Sequence, residues 1–208
     1  MSQYITKLSK KIANSSNYIK SNYEHHLLEI GILKEEKKES FSASKTILMA
    51  FEQFAFRGNQ DQKIQFKVSK DFHIYGHQRL LVPVLINLMR NAFAAISGKQ
   101  DGTITVSLDH PKRSIVIKDT GTGIAKTDVD LIFDESFSTK KPGHGLGLFY
   151  CKSAMIDLGG DINCTSEKGS FTRFELSFST TKEDTKYEAH THSWSSPGPK
   201  RACPHEFL

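Results

Sequence analysis

The feature that most constrains this chain is an ordered set of three clusters. Asn87-Leu88-Met89-Arg90-Asn91 comes first, then Asp119-Thr120-Gly121-Thr122-Gly123-Ile124, then Gly143-His144-Gly145-Leu146-Gly147-Leu148. A glycine pair after an acidic residue is by itself an ordinary turn, because glycine takes positive φ without steric cost. The order adds the constraint. A helix carrying two asparagines leads to a strand that runs into the acidic residue and its glycines, a polar loop follows, and a second glycine cluster opens another helix. That succession points to a nucleotide site.

With 208 residues the chain has room for one principal core and an appendage. Its three cysteines, Cys151, Cys164 and Cys203, are odd in number and far apart, which suggests neither a disulfide framework nor a zinc site and fits a reducing, cytoplasmic setting. No apolar run of about eighteen residues and no apolar leader core is present, so this piece is expected to be soluble, with a membrane reached only through a sensor region outside it. The net charge of +5 arises from 28 basic and 23 acidic residues that are scattered, without a basic stripe interleaved with aromatics. A solvated surface explains it, and no nucleic-acid partner is expected.

Residues 3–36 read as one long helix with an apolar seam of Ile5, Leu8, Ile12, Ile19, Leu27, Ile30 and Leu33, spanning roughly 50 Å. Such a seam needs cover from a second copy, from the other half of a hairpin or, because Ser15, Asn22 and His26 interrupt it, from the chain's own domain. Glu39 to Ser42 breaks the pattern, and Ser42 or Ser44 is expected to cap a shorter helix that ends near Arg57. Lys63–Val68 alternates as a strand with Ile64, Phe66 and Val68 on one face, and Phe72–Tyr75 reads as a second extended piece. A helix over His77–Ser97 carries the stripe Leu80, Leu81, Val84, Leu85, Leu88, Ala92 and Ala95, with Pro83 expected close to its start. Thr103–Leu108 and Arg113–Lys118 form a hairpin, with Asp119 just past its second strand. The polar stretch 125–144 is long enough for a functional lid. Leu146–Leu158 is a helix stopped by Gly159-Gly160, and Asp161–Ser166 with Thr172–Ser179 close the domain as a last hairpin. Residues 181–208 read as a disordered tail foreign to the domain. The expected division is therefore 1–38, 39–180 and 181–208.

Asn87 and Asn91 lie four apart, on one face of a helix whose other face is apolar. Their carbonyl oxygens suit Mg²⁺, which keeps several waters and takes charge compensation from phosphates, although two asparagines also serve to cap neighbouring backbone. Asp119 at a strand end can accept from the exocyclic amine of adenine, with Gly121 and Gly123 letting backbone approach a flat ring. Gly143, Gly145 and Gly147 lead into a helix whose first N–H groups and dipole form an anion site. Lys140 and Lys141 are phosphate candidates or plain solvent-facing lysines.

Residues 39–179 resemble the catalytic ATP-binding domain of bacterial sensor histidine kinases, within the superfamily shared with gyrase, the Hsp90 chaperones and MutL. Asn87 to Ile96 is similar to the family's N box, Asp119 to Gly123 to its first glycine box, Ile132 to Lys140 to its F box and Gly143 to Leu148 to its second glycine box. The resemblance implies an α+β fold of Bergerat type. That is a two-layer α/β sandwich of a mixed sheet with helices on one face, preceded here by a long dimerisation helix. It implies ATP and Mg²⁺ as cofactors, Asn91 as the metal ligand, and Asp119 and Thr172 in the adenine pocket. Phe133 and Phe137 would be lid anchors. Ile124, Lys140, Lys141, His144, Leu146 and Leu148 complete the expected contacts, and Asn87, Asn91 and Lys140 form the expected catalytic set. Three positions depart from the pattern. Ala94 stands where many members carry a basic residue, His144 where a small hydroxyl residue is commoner, and Ser136 where an aromatic is usual.

The superfamily's hydrolases place a Glu at the position of Asn87 to activate water, and an amide cannot act as that base. Transfer to another acceptor is therefore expected, with catalysis by positioning and by the metal. The family's acceptor is a His followed by an acid and a Pro, whereas His25-His26-Leu27 matches neither. Residues 1–38 then resemble the second helix of the dimerisation hairpin, with the acceptor His expected upstream of Met1. The implied partners are that hairpin, a response regulator with a receiver domain, and a second copy in a homodimer. An ATP-driven hydrolase or clamp, and a non-catalytic nucleotide-binding module, remain as alternatives.

Overall fold

A computed structural model describes residues 37–56, 60–68, 70–135, 137 and 146–180. The chain divides into two units, Met1–Lys37 and Lys38–Leu208, and the fold described is that of the second. The expected helix over 3–36 and tail over 181–208 lie outside the described residues. Among those described, no helix is long and apolar enough to cross a membrane.

Five strands form the main sheet in the order β2 (Ile64–Val68), β4 (Ile104–Asp109), β5 (Ser114–Asp119), β7 (Phe171–Phe178), β6 (Gly160–Glu167). β2 runs parallel to β4 and every other pairing is antiparallel, so the sheet is mixed, as expected. Side chains alternate across a strand. Ile104, Val106, Leu108, Ile115, Ile117, Phe174, Leu176 and Ile162 consequently share one buried face. The opposite face is polar, with an Arg173–Glu175 ion pair at 2.8 Å and Lys118 4.7 Å above the Phe171 ring. Only the apolar face needs cover, and helices α2 (Gln78–Ala95) and α4 (Leu146–Asp157) supply it. α2 buries Leu80, Leu81, Val84, Leu85, Leu88 and Ala92 of the expected stripe.

Several boundaries differ from the sequence reading, each for a tertiary reason. Glu39–Ser42 is a strand, β1, paired antiparallel with β3 (His73–Gly76) in a separate two-stranded sheet. Four residues whose partner lies about thirty positions away carry no local signal. Ser42 then caps α1 (Ala43–Gln53) by accepting from the Lys45 amide at 3.0 Å, while its hydroxyl donates to Asp71 at 2.6 Å. α1 stops before Arg57 because Phe54 turns out of the helix into a cluster, 5.4 Å from Phe93, as Phe51 meets Phe66 on edge strand β2 at 4.7 Å. Val68 shares the face of Ile64 and Phe66 but extends past this cover and is 47% exposed. Pro83 is the sixth residue of α2, deeper than its expected place near the start, so position 83 donates no bond to the preceding turn. Asp119 belongs to β5 as its last residue. The described part of the polar stretch after it contains a short helix, α3 (Lys126–Val129).

Candidate functional site

Strand register sets the site. Across β4, β5, β7 and β6 the buried face carries the row Leu108, Ile115, Leu176, Ile162 and the row Val106, Ile117, Phe174, Cys164. The next row is Ile104, Asp119, Thr172, Ser166. The core face thus turns polar at one end of the sheet, at Asp119 and Thr172, which are 3% and 4% exposed. Buried polar groups require partners. Ser166 Oγ lies 3.3 Å from Thr172 Oγ1, donates to the Phe171 carbonyl at 2.7 Å and accepts from the Ile124 amide at 2.8 Å.

The loop after Asp119 is held residue by residue. The Thr120 amide donates to the Thr103 carbonyl at 3.1 Å, the Gly121 amide to Asp119 Oδ1 at 2.8 Å, and the Thr122 amide to the Ala95 carbonyl at 3.1 Å. The Thr122 carbonyl accepts from the Gly169 amide at 2.6 Å, tying the loop to the β6–β7 turn. A Cβ on Gly121 would fall 2.5 Å from Ala95 Cβ, and one on Gly123 would fall 2.0 Å from the Glu167 carbonyl oxygen at a φ of 62°. The close approaches these two glycines permit are therefore to the protein's own α2 and β6–β7 turn. Room for a flat ring is not what requires them.

A cavity of about 280 Å³ opens beside this loop. Of the residues expected from sequence, Asn91, Asp119, Gly123, Ile124, Phe137, Gly147, Leu148 and Thr172 line it. Ala94, Ala95, Thr122, Ile132 and Phe174 also line it and were not anticipated. Simple periodicity finds most of these. Ala94 and Ala95 follow Asn91 by one helical turn, and Phe174 follows Thr172 by the strand period of two.

Other expected residues stand elsewhere. Asn87 is absent from the cavity wall. Its amide hydrogen-bonds the Cys151 thiol, and its Oδ1 lies 3.8 Å from where a Gly147 Cβ would be, so it serves the packing of α2 on α4. Cys151 also donates to the Val84 carbonyl at 3.9 Å, and burial pushes its thiol up to about 12. Burial, then the charge of Asp119, pushes the Cys164 thiol up to about 12 as well. Phe133 backs the wall from behind, edge-on to Phe174 at 6.4 Å, with the Lys152 ammonium 5.8 Å from its ring. Lys152 also pairs with Asp161, and that hydrogen bond holds the Asp161 carboxyl below its ordinary range. Gly121 and Leu146 flank the cavity in sequence without lining it. Lys140, Lys141, Gly143, His144 and Gly145 lie outside the described residues. Among the described residues no group of three or more His, Cys, Asp or Glu is gathered in a way that would hold a metal.

Residues 76–182 match the family model described as histidine kinase-, DNA gyrase B-, and HSP90-like ATPase. The chain is 32% identical over 154 residues to the CAI-1 autoinducer sensor kinase/phosphatase CqsS of Vibrio cholerae, covering 72% of this chain and 22% of that protein. It is 40% identical over 96 residues to the sensor histidine kinase DcuS of Escherichia coli, covering 45% of this chain and 18% of that protein. It spans about a fifth of the length of these curated relatives. Among solved structures it resembles the Acinetobacter baumannii histidine kinase AdeS, with a TM-score of 0.62 at 24% identity over 86% of this chain and 84% of that one. A mycobacterial sensor histidine kinase, MprB, matches with a TM-score of 0.56 at 22% identity over 67% and 95%. At those identities the likeness speaks for the fold.

Proposed function

Because this chain belongs to the histidine kinase-, DNA gyrase B-, and HSP90-like ATPases, we propose that its cavity binds Mg²⁺-ATP and presents the γ-phosphoryl group to a histidine on a partner helical hairpin. The observation that carries this reading is the buried pair Asp119 and Thr172, set side by side in the sheet and opening on the same cavity as Asn91. A buried carboxylate on the cavity wall is matched to a ligand that donates there, and the exocyclic amine of adenine does so where guanine presents an oxygen. Ile132, Leu148 and Phe174 supply apolar surface for a flat base.

Asn91 would hold Mg²⁺ through its neutral carbonyl oxygen, and that ion would offset charge on the phosphates. Gly147 and Leu148 lie in the first turn of α4 and on the cavity wall, where that turn's amides and the positive helix end would favour the phosphates. Lys140, Lys141 and His144 are the further phosphate contacts of this reading. Asn87 supports transfer over hydrolysis, since a carboxamide bound to Cys151 has neither the basicity nor the placement to activate water. In the intact protein the product phosphohistidine would pass its group to a response regulator, and the kinase would act as a homodimer in the cytoplasm.

Titration of the purified chain with ATP, with and without Mg²⁺, tests the site. Asn91→Ala and Asp119→Ala should each weaken binding by roughly 30-fold or more, the scale of a lost charged hydrogen bond or metal ligand of about 2 kcal/mol. Wild type should prefer ATP to GTP by at least roughly tenfold. Undiminished affinity in both variants would remove the site assignment. Incubation with labelled ATP and a separate histidine-bearing hairpin should yield phosphohistidine on the hairpin. Steady phosphate release without any acceptor would instead identify a hydrolase.

A further inference from the structure

The connection between α2 and β4 carries a lysine whose role neither a motif nor a cavity wall accounts for. Lys99 Nζ lies 2.9 Å from the Thr120 carbonyl, 2.7 Å from the Gly121 carbonyl and 3.3 Å from the Gly169 carbonyl. An ammonium has three donors and no acceptor, so these three oxygens match its capacity. They come from two segments that are otherwise far apart in sequence, the loop after Asp119 and the β6–β7 turn. The lysine is itself held in place, its amide donating to the Ile96 carbonyl at 3.0 Å and its carbonyl accepting from Lys63 Nζ at 3.2 Å. A lysine that merely solvates a surface would meet water and not three backbone carbonyls.

What those carbonyls belong to gives the contact its meaning. The Thr120 carbonyl and the Gly121 amide are the two ends of one planar peptide. Lys99 holds its oxygen, and its N–H donates to Asp119 Oδ1 at 2.8 Å. In the next peptide Lys99 holds the Gly121 oxygen, and the Thr122 N–H donates to the Ala95 carbonyl at 3.1 Å. Both planes are thus fixed at both ends. A cation on the carbonyl end also polarises the peptide and strengthens the N–H as a donor to the carboxylate.

We propose that Lys99 is a positioning residue for the nucleotide site: by clamping the two peptides after Asp119 to the β6–β7 turn, it fixes the rotation of the Asp119 carboxylate that receives the adenine amine. The inference rests on the proposed nucleotide reading. Lys99 acts on the base end alone, so its loss should weaken every adenine nucleotide by the same factor whatever the number of phosphates, and should do so only while Asp119 is present.

The experiment compares wild type, Lys99→Met, Lys99→Arg, Asp119→Ala and the double variant Lys99→Met/Asp119→Ala in titrations with AMP, ADP and ATP, with thermal melting of each. Lys99→Met should lose roughly tenfold in affinity for all three ligands, Lys99→Arg should recover most of that, and the double variant should bind no worse than Asp119→Ala. Unchanged affinity in a folded Lys99→Met, a loss confined to ATP, or losses that multiply in the double variant would each overturn the role of Lys99 while leaving the nucleotide reading in place. If wild type binds none of the three nucleotides, the proposed function falls and the positioning role falls with it.

Discussion

Gly123 and Gly147 both line the cavity, one in the loop after β5 and the other in the first turn of α4, and the missing side chain answers a different need at each. At Gly123 the backbone is left-handed and a Cβ would run into the Glu167 carbonyl, so the protein's own packing demands glycine. At Gly147 a Cβ would meet nothing nearer than Asn87 among the described residues, at an ordinary 3.8 Å. The described packing leaves room for a methyl there, and that methyl would project beside the cavity that Gly147 lines. Two glycines that look alike in sequence thus stand in different surroundings, one where the fold forbids a side chain and one where the described residues leave room for it.

Substitution of these two glycines tests the contrast. Gly123→Ala combines a strained backbone with a clash against fixed backbone. It should cost on the order of 3 kcal/mol and lower the melting temperature by about 10 °C. Gly147→Ala should do the reverse for stability, since alanine is the better helix former by up to about 1 kcal/mol, while nucleotide affinity falls roughly tenfold. Melting and titration of the same two proteins check both statements. A Gly147→Ala protein that melts well below wild type would break the contrast, because the glycine would then be structural at both places.

A thiol stands behind each cluster and gives a smaller, pH-dependent effect. Cys151 on α4 and Cys164 on β6 both rise from an ordinary value of 9.0 to about 12. The unfolded chain surrenders these protons at lower pH than the folded one does. The stability they contribute is therefore complete below pH 9.0 and is lost as pH climbs toward about 12. Denaturant unfolding followed across that range should show the decline, and Cys151→Ala should blunt it. Burial is the larger cause at both sites, but only Cys164 also senses Asp119. Asp119→Ala should accordingly bring the Cys164 ionisation down while leaving Cys151 in place, as read by thiolate absorbance. Equal shifts at both thiols would mean that the two clusters are electrically coupled.

Much of the fold was legible because its signals are local. Alternation identified three strands of the sheet, a closing hairpin around Gly169 the other two, and the stripe from Leu80 to Ala95 the long helix. What escaped depended on distant partners. β1 exists only because β3 lies beside it, and α1 ends where Phe54 finds Phe93. The same division runs through the candidate site. Asn91, Asp119 and Thr172 were marked by motif and do converge on one cavity. Asn87, identical in type and one turn away, faces a different neighbour, Cys151, and no spacing rule separates the two. Ser166 and Lys99 were not singled out at all, since their work lies in hydrogen bonds to backbone of segments remote in the chain.

By itself, then, the amino-acid sequence determined which chemical groups are available and in what order along the chain: an asparagine helix, an acid at a strand end, and two glycine clusters after it. Those follow from residue type and from periods of two and 3.6, which are properties of neighbouring residues. Only the tertiary structure decided which of them share a surface. The register of β5 with β7 set Asp119 against Thr172, the packing of α2 on α4 took Asn87 out of the cavity, and an ammonium from the α2–β4 connection secured the loop. Each of those outcomes turns on distances between segments that meet only when the sheet and helices close on one another.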